Sequence, residues 1–501
     1  TSDAAGLVAE GVTFGDVTLT NCVIALAKKG GYNSHTFGVS FNGSGAALLR
    51  MDGCTVRDNG GFSDRMQSAF SGVGAQFTDL ARAWISNCTF ATNGVRGSSW
   101  VGLDGAAFTA VNTPVTVIRS KFVGNIASLG SGGSGATDII YLNGATGASA
   151  FTNCVFAGNS MDPRGQAEAN GGVICANLGA GGTLDVVNCT FAGNASTGTK
   201  KTCGIHAVVG EVAVRNSIFW GNTVPATCEK PSDLYVGDGA SASADYCLFS
   251  SKGTGAYGKS AAGTISVTEV HCLFDDPLFA DAAAFDVHLL SAEGYRTDAD
   301  GAWHVADVQS PAIDAGDPEM SCANEPGRNG GVVNLGAYGN TEEASQTPVT
   351  EPKVAGAVKI SFDGDYSQPT VRFTAGGSGA YSASAVVSLC TNGTDWIAET
   401  VSVPDIVNGQ NVAVLVPFYL QPGGSVTVRV QLSAAGSAAE KDSAATPVTG
   451  TLPPWYGKGG PANVIHVRAG ATGHGTGANW TDALTDFNAA LGQLSGGKNE
   501  I

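Results

Sequence analysis

CTFATN from Cys88, KFVGN from Lys121, CVFAGN from Cys154, CTFAGN from Cys189 and SIFWGN from Ser217 are one short phrase written five times. Aligned on its first position, the phrase extends to a slot at Cys22, Cys54, Cys88, Ser120, Cys154, Cys189, Ser217, Cys247 and Cys272, at intervals of 25 to 35 residues. Two residues on come Ile24, Val56, Phe90, Phe122, Phe156, Phe191, Phe219, Phe249 and Phe274. Five residues on come Asn59, Asn93, Asn125, Asn159, Asn194 and Asn222. Upstream, apolar pairs recur at Val17/Leu19, Leu49/Met51, Ala83/Ile85, Val115/Val117, Leu184/Val186 and Val212/Val214. Alternation at period two is the mark of a strand with one buried face. The parity slips by one before the slot, so the chain turns a corner there, often at asparagine: Asn21, Asn87, Asn153, Asn188, Asn216.

An earlier strand opens each coil, as GVSF at Gly38, GAQF at Gly74, GAAF at Gly105, GGVI at Gly171 and GIHA at Gly204. Three short strands per repeat, joined by corners, describe one coil of a solenoid. Coils then stack about 4.8 Å apart through parallel ladders, and equivalent side chains form columns. The cysteine column is small because a corner leaves little room. The phenylalanine column fills the interior, and the asparagine column is placed for an amide ladder that satisfies turn backbone. The expected fold is all-β, a right-handed parallel β-helix over residues 1–346.

Composition agrees and narrows the function. Of 501 residues, 71 are glycine and only 14% are charged, which suits short strands and tight turns. A net charge of −17 argues against nucleic acid and anionic membrane as partners. No stretch reaches the roughly 20 apolar residues of a membrane span. The first residue is Thr1, so a cleaved export signal or a piece of a longer chain is expected. The twelve cysteines mostly occupy the repeat slot, where they read as buried free thiols. Cys203 and Cys228 lie outside it and fit a bridge between neighbouring loops as well as they fit free thiols.

The GGVI strand and the F-x-x-N segments at Phe90, Phe122, Phe156, Phe191 and Phe219 resemble the repeat of polymorphic outer-membrane proteins. DPLFAD at Asp276, DVHLLSAEG at Asp286, SPAIDAGDP at Ser310 and NEPGRNGGVVNLGAYGN at Asn324 are similar to the terminal segment of pectin-lyase-like β-helix surface proteins. The resemblance implies an extracellular or cell-surface location. It also implies a group that mixes adhesins, structural proteins and carbohydrate-active enzymes.

Beyond a linker at Thr347, residues 354–449 show about seven alternating strands separated by Asp-Gly, Asn-Gly and Pro-Gly-Gly turns. This pattern predicts a β-sandwich of fibronectin type III or immunoglobulin-like kind. Residues 463–501 read as a strand, a Gly-rich loop and an amphipathic helix with Thr481 as N-cap and Leu484, Phe487, Leu491 and Leu494 on its apolar face. That segment resembles the N-terminal cap of a further β-helix.

Candidate chemistry is sparse. Asp104, Asp138 and Asp233 precede the opening strand, and His206 lies within it, but whole coils separate the acids. Asp314, Asp317, Asn324 and Glu325 offer oxygens for calcium, with turn-capping as the favoured alternative. Trp84, Trp100, Trp220, Trp303 and Tyr295 are scattered rather than aligned. There is no C-x-x-C pair for zinc, and GTGANW lacks the Lys-Ser/Thr ending of a phosphate loop. No catalytic residue, metal site or cofactor is therefore assigned. The leading expectation is a structural or adhesive protein building a head-to-tail filament or repetitive surface adhesin. Its first partner is a copy of itself, with residues 463–501 seated on the coil of Val17, Leu19, Cys22 and Ile24 of the next unit; glycans are the second. The rivals are a polysaccharide lyase or glycoside hydrolase, and a glycan- or host-binding adhesin without assembly.

Overall fold

The computed structural model describes residues 4–10, 15–27, 36–63, 70–71, 73–97, 103–128, 137–162, 171–199, 202–326, 329–347, 352–362, 369–377, 382–390, 396–415, 425–434, 443–444, 448–451, 467–470 and 484–487. The chain divides into two units, Thr1–Pro348 and Val349–Ile501.

The first unit is a parallel β-solenoid. Its first face stacks Thr36–Asn42, Ala75–Thr78, Phe108–Val111, Ile140–Asn143 and Ile174–Asn177. The second stacks Val17–Thr20, Leu48–Asp52, Arg82–Ser86, Val115–Ile118, Ala148–Thr152 and Thr183–Val187. In the next two coils Ile205–Arg215 and Leu234–Asp245 run through the corner as single strands and fuse these two faces into one sheet. The third face is an eight-stranded sheet from Val23–Ala25 to Leu248–Phe249. Each coil was expected to hold three strands. Five of them add a fourth, from Gly60–Ser63 to Ala195–Ser196, just after the asparagine column.

Register confirms the columns. Phe90, Phe122, Phe156, Phe191, Phe219 and Phe249 pair in sequence along the third face. All six are fully buried, with adjacent rings stacked 4.4 to 5.2 Å apart. Met51, Ile85, Val117, Phe151, Val186, Val214 and Ala244 form the matching column on the second face.

The corner before the slot is left-handed backbone in every coil from Cys22 to Cys247. Asn21, Asn87, Asn153, Asn188 and Asn216 have φ between 50° and 54°, and Gly53 has 62°. Asparagine and glycine enter this region with little steric cost, and most other residues do not. The slot itself does more than fit a tight space. Cys88 Sγ donates to the Ser86 carbonyl at 3.1 Å, as Ser120 Oγ does to Ile118 at 2.9 Å. The same atoms accept N–H groups from the preceding coil: Cys54 N to Cys88 Sγ, Cys88 N to Ser120 Oγ, Cys189 N to Ser217 Oγ. Cysteine and serine alternate because both are small and both bond the corner backbone. Burial pushes the Cys88 thiol up to about 12 and raises those of Cys54, Cys189, Cys247 and Cys272.

The asparagine column is a continuous amide ladder. Each Nδ2 donates to Oδ1 of the next coil's asparagine, at 2.9 to 3.1 Å from Asn59 through Asn194. It also donates back to the carbonyl of the third-face core residue one coil earlier, as Asn159 does to Phe122 at 2.9 Å. Each Oδ1 additionally accepts the backbone N–H of the preceding asparagine, as in Asn125 N to Asn159 Oδ1 at 2.9 Å. At the last rung, Asn222 Nδ2 donates to Asp233 Oδ1 at 3.0 Å.

The terminal segment does not add further coils. It turns back along the outside of the third face, and its strands Phe279–Asp281 and Asp286–Leu289 pair antiparallel. Leu289, Ala312, Ile313 and Leu335 pack on Ile218 and Leu248, while Val287 and Ala337 pack on Val155, Ala157 and Ala192. Those third-face strands are therefore buried on both sides, which their sequences (VFA, TFA, IFW) already carry as apolar outward positions.

In the second unit, Pro352–Phe362, Pro369–Gly377 and Asn411–Leu415 form one antiparallel sheet. Ser382–Cys390, Trp396–Val407 and Ser425–Ala434 form another, extended by Ser443–Ala444 and Val448–Thr451. Val358, Val371, Phe373, Ala385, Val387, Ile406, Val428 and Val430 share one core. Within 463–501, Val467 pairs parallel with Leu484 and the helix starts at Phe487. Leu484 thus ends a strand-like pairing instead of opening the helical face; Thr481, Leu491 and Leu494 lie outside the described residues.

Cys88, Cys154 and Cys189 should resist thiol reagents in the native protein and react on unfolding; rapid native labelling would place the slot outside. Phe156→Ala should destabilise the solenoid by about 3–5 kcal/mol in chemical denaturation. Asn159→Ala removes four ladder bonds and strands buried donors on Asn125 and the Phe122 carbonyl. At about 1–3 kcal/mol per unsatisfied group, its cost should match or exceed that of the phenylalanine.

Candidate functional site

Two coils put a residue other than asparagine or glycine at the left-handed corner: Tyr246 stands there at φ 48°, and one further coil departs twice. At the left-handed corner, where five coils place asparagine, it has Arg119 at φ 47°. Two residues on, facing out from the third sheet, it has Lys121 where its neighbours have Thr89 and Val155. A non-glycine residue held in strained backbone where the repeat offers asparagine is a reason to look for function. Arg119 is exposed, and its guanidinium makes no hydrogen bond or ion pair among the described residues.

The terminal segment crosses beside these two cations and leaves a cleft of about 330 Å³. Asn87, Arg119, Lys121 and Asn153 line the solenoid side; Asp298, Tyr338, Glu342 and Glu343 line the other. Lys121 Nζ lies 2.7 Å from both Asp298 carboxylate oxygens and 5.9 Å from the centre of the Tyr338 ring. Asn153 Nδ2 donates to the carbonyls of Ala337 and Gly339 at 3.0 and 2.7 Å, fixing the far wall to the corner column.

Behind Tyr338 sits His288, 2% exposed, its ring stacked on the tyrosine at 3.7 Å and 7°. Its Nδ1 is 2.6 Å from Asp286 Oδ1, and its Nε2 is 3.7 Å from Glu343 Oε2. Asp286 Oδ2 accepts the backbone N–H of Asp298 at 2.7 Å. Burial alone would lower the His288 pKa, but Asp286 and Glu343 outweigh it and raise the value. Burial likewise pushes Asp286 up, and the bonds from His288 and Asp298 bring it below the usual carboxylate range. His288 also holds Glu343 down. Burial, then the carboxylates around it, pushes the Tyr338 hydroxyl well up.

Asp286, His288 and Asp298 each bring one ligand-type atom within 4.8 Å of the others. Lys121 takes both oxygens of Asp298 and the imidazole takes Asp286, so the group is a closed ion-pair network rather than a coordination sphere. His288 is sealed behind Tyr338 and cannot reach a ligand in the cleft. The cleft itself offers one guanidinium that is unpaired among the described residues, with amide and hydroxyl groups and carboxylates, beside apolar surface from Val155 and Ala337. That mixture suits a polyhydroxylated ligand.

The acids singled out by sequence do not converge. Asp138 and Asp233 are fully buried inside the solenoid; Asp138 accepts the Gly172 N–H at 3.0 Å. Asp233 ends the asparagine ladder, and burial pushes its pKa up to about 7. Asp104 pairs through its backbone with Ser71, and its side chain lies outside the described residues. His206 is buried against Tyr235, with ring centres 5.4 Å apart. Asp138, Asp233 and His206 are therefore not placed to act on a polymer at the surface.

Three of the four oxygen-bearing residues at the solenoid's end cap turns with their carboxylates. Asp314 accepts from Gly330 N and Thr347 Oγ1, Asp317 from Glu319 N, and Glu325 from Asn334 N and Asn340 N. Asn324 donates its N–H to Asn340. Cys203 and Cys228 are free thiols, Cys203 donating to the Thr223 carbonyl at 3.0 Å. Trp220 packs under the terminal segment. Trp84 lies between Arg50 and Arg82 on the outer second face, and Trp303 stacks with Arg296. Trp100 lies outside the described residues.

Sequence inspection missed Arg119, Lys121, His288 and Tyr338. For the first two a signal was present, an arginine in the asparagine corner column and a lysine in a Thr/Val position. For His288 and Tyr338 there was none, because their partners are brought together only by the return of the terminal segment.

No known protein family matches the chain, and no curated protein does. Four chains among solved structures match. One is the enzymatically active domain of tailspike protein 4 of bacteriophage CBA120, with 10% sequence identity, a TM-score of 0.19 and coverage of 83% of this chain and 55% of that one. The chain thus spans little more than half the length of that neighbour.

Proposed function

We propose that this chain is a structural or adhesive protein of the cell surface or extracellular space, with the solenoid as a stiff spacer and the Arg119 cleft as its contact site for glycans. The observation that carries the reading is how the repeat is used. Its recurrent positions go to the core, the amide ladder and the corners, while Asp138 and Asp233, two of the acids that could have formed an exposed catalytic row, lie inside. What remains on the surface as a departure from the repeat is a cleft rich in hydrogen-bonding groups. Such groups bind sugar hydroxyls, with a charged residue to fix orientation.

Assembly belongs to the same proposal. Val17, Leu19, Cys22 and Ile24 are only partly buried, whereas Leu49, Met51, Cys54 and Val56 one coil on are at most 1% exposed. The cap-like segment 463–501 of a second copy would complete that coil. The contact is heterologous, so its repetition gives a linear fibre.

The test is a panel of neutral and acidic polysaccharides, scored for binding and for newly released chain ends. Binding without cleavage is expected. Arg119→Asn restores the residue that the other corners prefer, so it should leave the fold intact while weakening glycan binding at least about tenfold, or roughly 1.4 kcal/mol. Undiminished binding would remove the cleft from the account, and reproducible cleavage would replace the adhesive reading with an enzymatic one. Removing residues 463–501 should abolish concentration-dependent association in sedimentation; association that survives would contradict the head-to-tail contact.

A further inference from the structure

We infer that residues 275–347 form an acid-side latch: the segment closes over the outer third face of the solenoid while His288 carries a proton and loosens when that proton leaves.

The geometry supplies both the latch and its trigger. The segment covers an apolar face made of Val155, Ala157, Ala192, Ile218 and Leu248. Its ionic tie to that part of the solenoid is Lys121 to Asp298. Behind this tie, the buried His288 ring faces Asp286 at 2.6 Å through Nδ1 and Glu343 at 3.7 Å through Nε2. Tyr338 covers the ring, and Arg296 contributes positive potential at Glu343. With the proton on, two cations, Lys121 and His288, face Asp286, Asp298 and Glu343. With it off, the three carboxylates face only Lys121 and Arg296, and His288 Nε2, buried without a hydrogen-bond partner, loses its ionic attraction to Glu343 3.7 Å away.

A second group in the segment points the same way. Glu325 is buried; its Oε1 accepts two N–H groups, but its Oε2 has no partner and the carboxylate of Asp314 adds repulsion. Ionising it places an uncompensated negative charge inside the segment.

The direction of the pH effect follows from linkage. His288 has a raised pKa in the folded chain, so its contribution is complete below the unfolded value and is lost as pH rises through the folded one. Glu325 is pushed by burial up to about 7, so the folded form binds its proton more tightly and stability falls between the ordinary carboxylate range and that value. Asp286 and Glu343 are lowered, and their contributions disappear only in stronger acid. Asp233 in the solenoid is also pushed to about 7, and Asp233→Asn removes that background while keeping an acceptor for Asn222.

The experiment is hydrogen exchange on the intact chain from pH 5.5 to 8.5, corrected for the intrinsic rate, comparing residues 275–347 with the strands of the first and second faces. The opening constant of the segment should climb by up to about tenfold per pH unit for each proton released, while those strands stay protected. Carrying His288→Gln and Glu325→Gln together should flatten the climb. A segment whose protection is the same at both ends of the range would overturn the latch, and so would an unchanged climb in the double variant. The wild-type comparison decides the matter even where a variant fails to fold.

Discussion

A buried asparagine side chain that bonds the coil before and the coil after it is the constraint on which the rest of this molecule depends. Backbone ladders alone would let neighbouring coils slip, because parallel strands accept several registers. The ladder from Asn59 to Asn222 does not, since each amide needs the next one opposite it and a carbonyl behind it. Once these are fixed, the phenylalanine rings must stack, the thiols and hydroxyls of the slot must meet the corner backbone, and each corner asparagine must enter left-handed conformation. The ladder has a direction, and at its last rung the open donor of Asn222 meets Asp233. A residue that looked catalytic by type is the stop of a structural column.

This dependence explains where function can and cannot reside. Positions inside the coil are committed to the repeat and tolerate little chemistry of their own. Freedom exists at the corners, on the outer faces and in the segment that returns along the third face. Arg119 and Lys121 use that freedom, and the terminal segment closes a cleft beside them. The same segment carries His288 and Glu325, titrating groups that are each buried with one atom left without a hydrogen-bond partner.

Much of the fold was legible in the sequence for the same reason. Cys, Phe and Asn recur at fixed offsets because each sits in a column with one environment, so Phe156 and Asn159 could be placed without coordinates. The long strands of the second unit were legible through alternation and turn residues, whereas the last expected strand is two short ones, Ser443–Ala444 and Val448–Thr451. The fourth short strand was not, since Gly94–Gly97 and Ala195–Ser196 have neither the length nor the side chains to alternate. The return of the terminal segment was hidden as well. Its contacts join residues more than a hundred positions apart, as Asn153 joins Gly339, and no local pattern encodes them.

The central claim is that the asparagine amides are internal, doubly bonded rungs, and side-chain amide exchange measures it most directly. In spectra resolving the Nδ2 protons, those of Asn93, Asn125 and Asn159 should exchange as slowly as the backbone amides of the neighbouring third-face strands. Exchange at the rate of free asparagine would show that the column faces solvent, and the account of the fold built on it would fall.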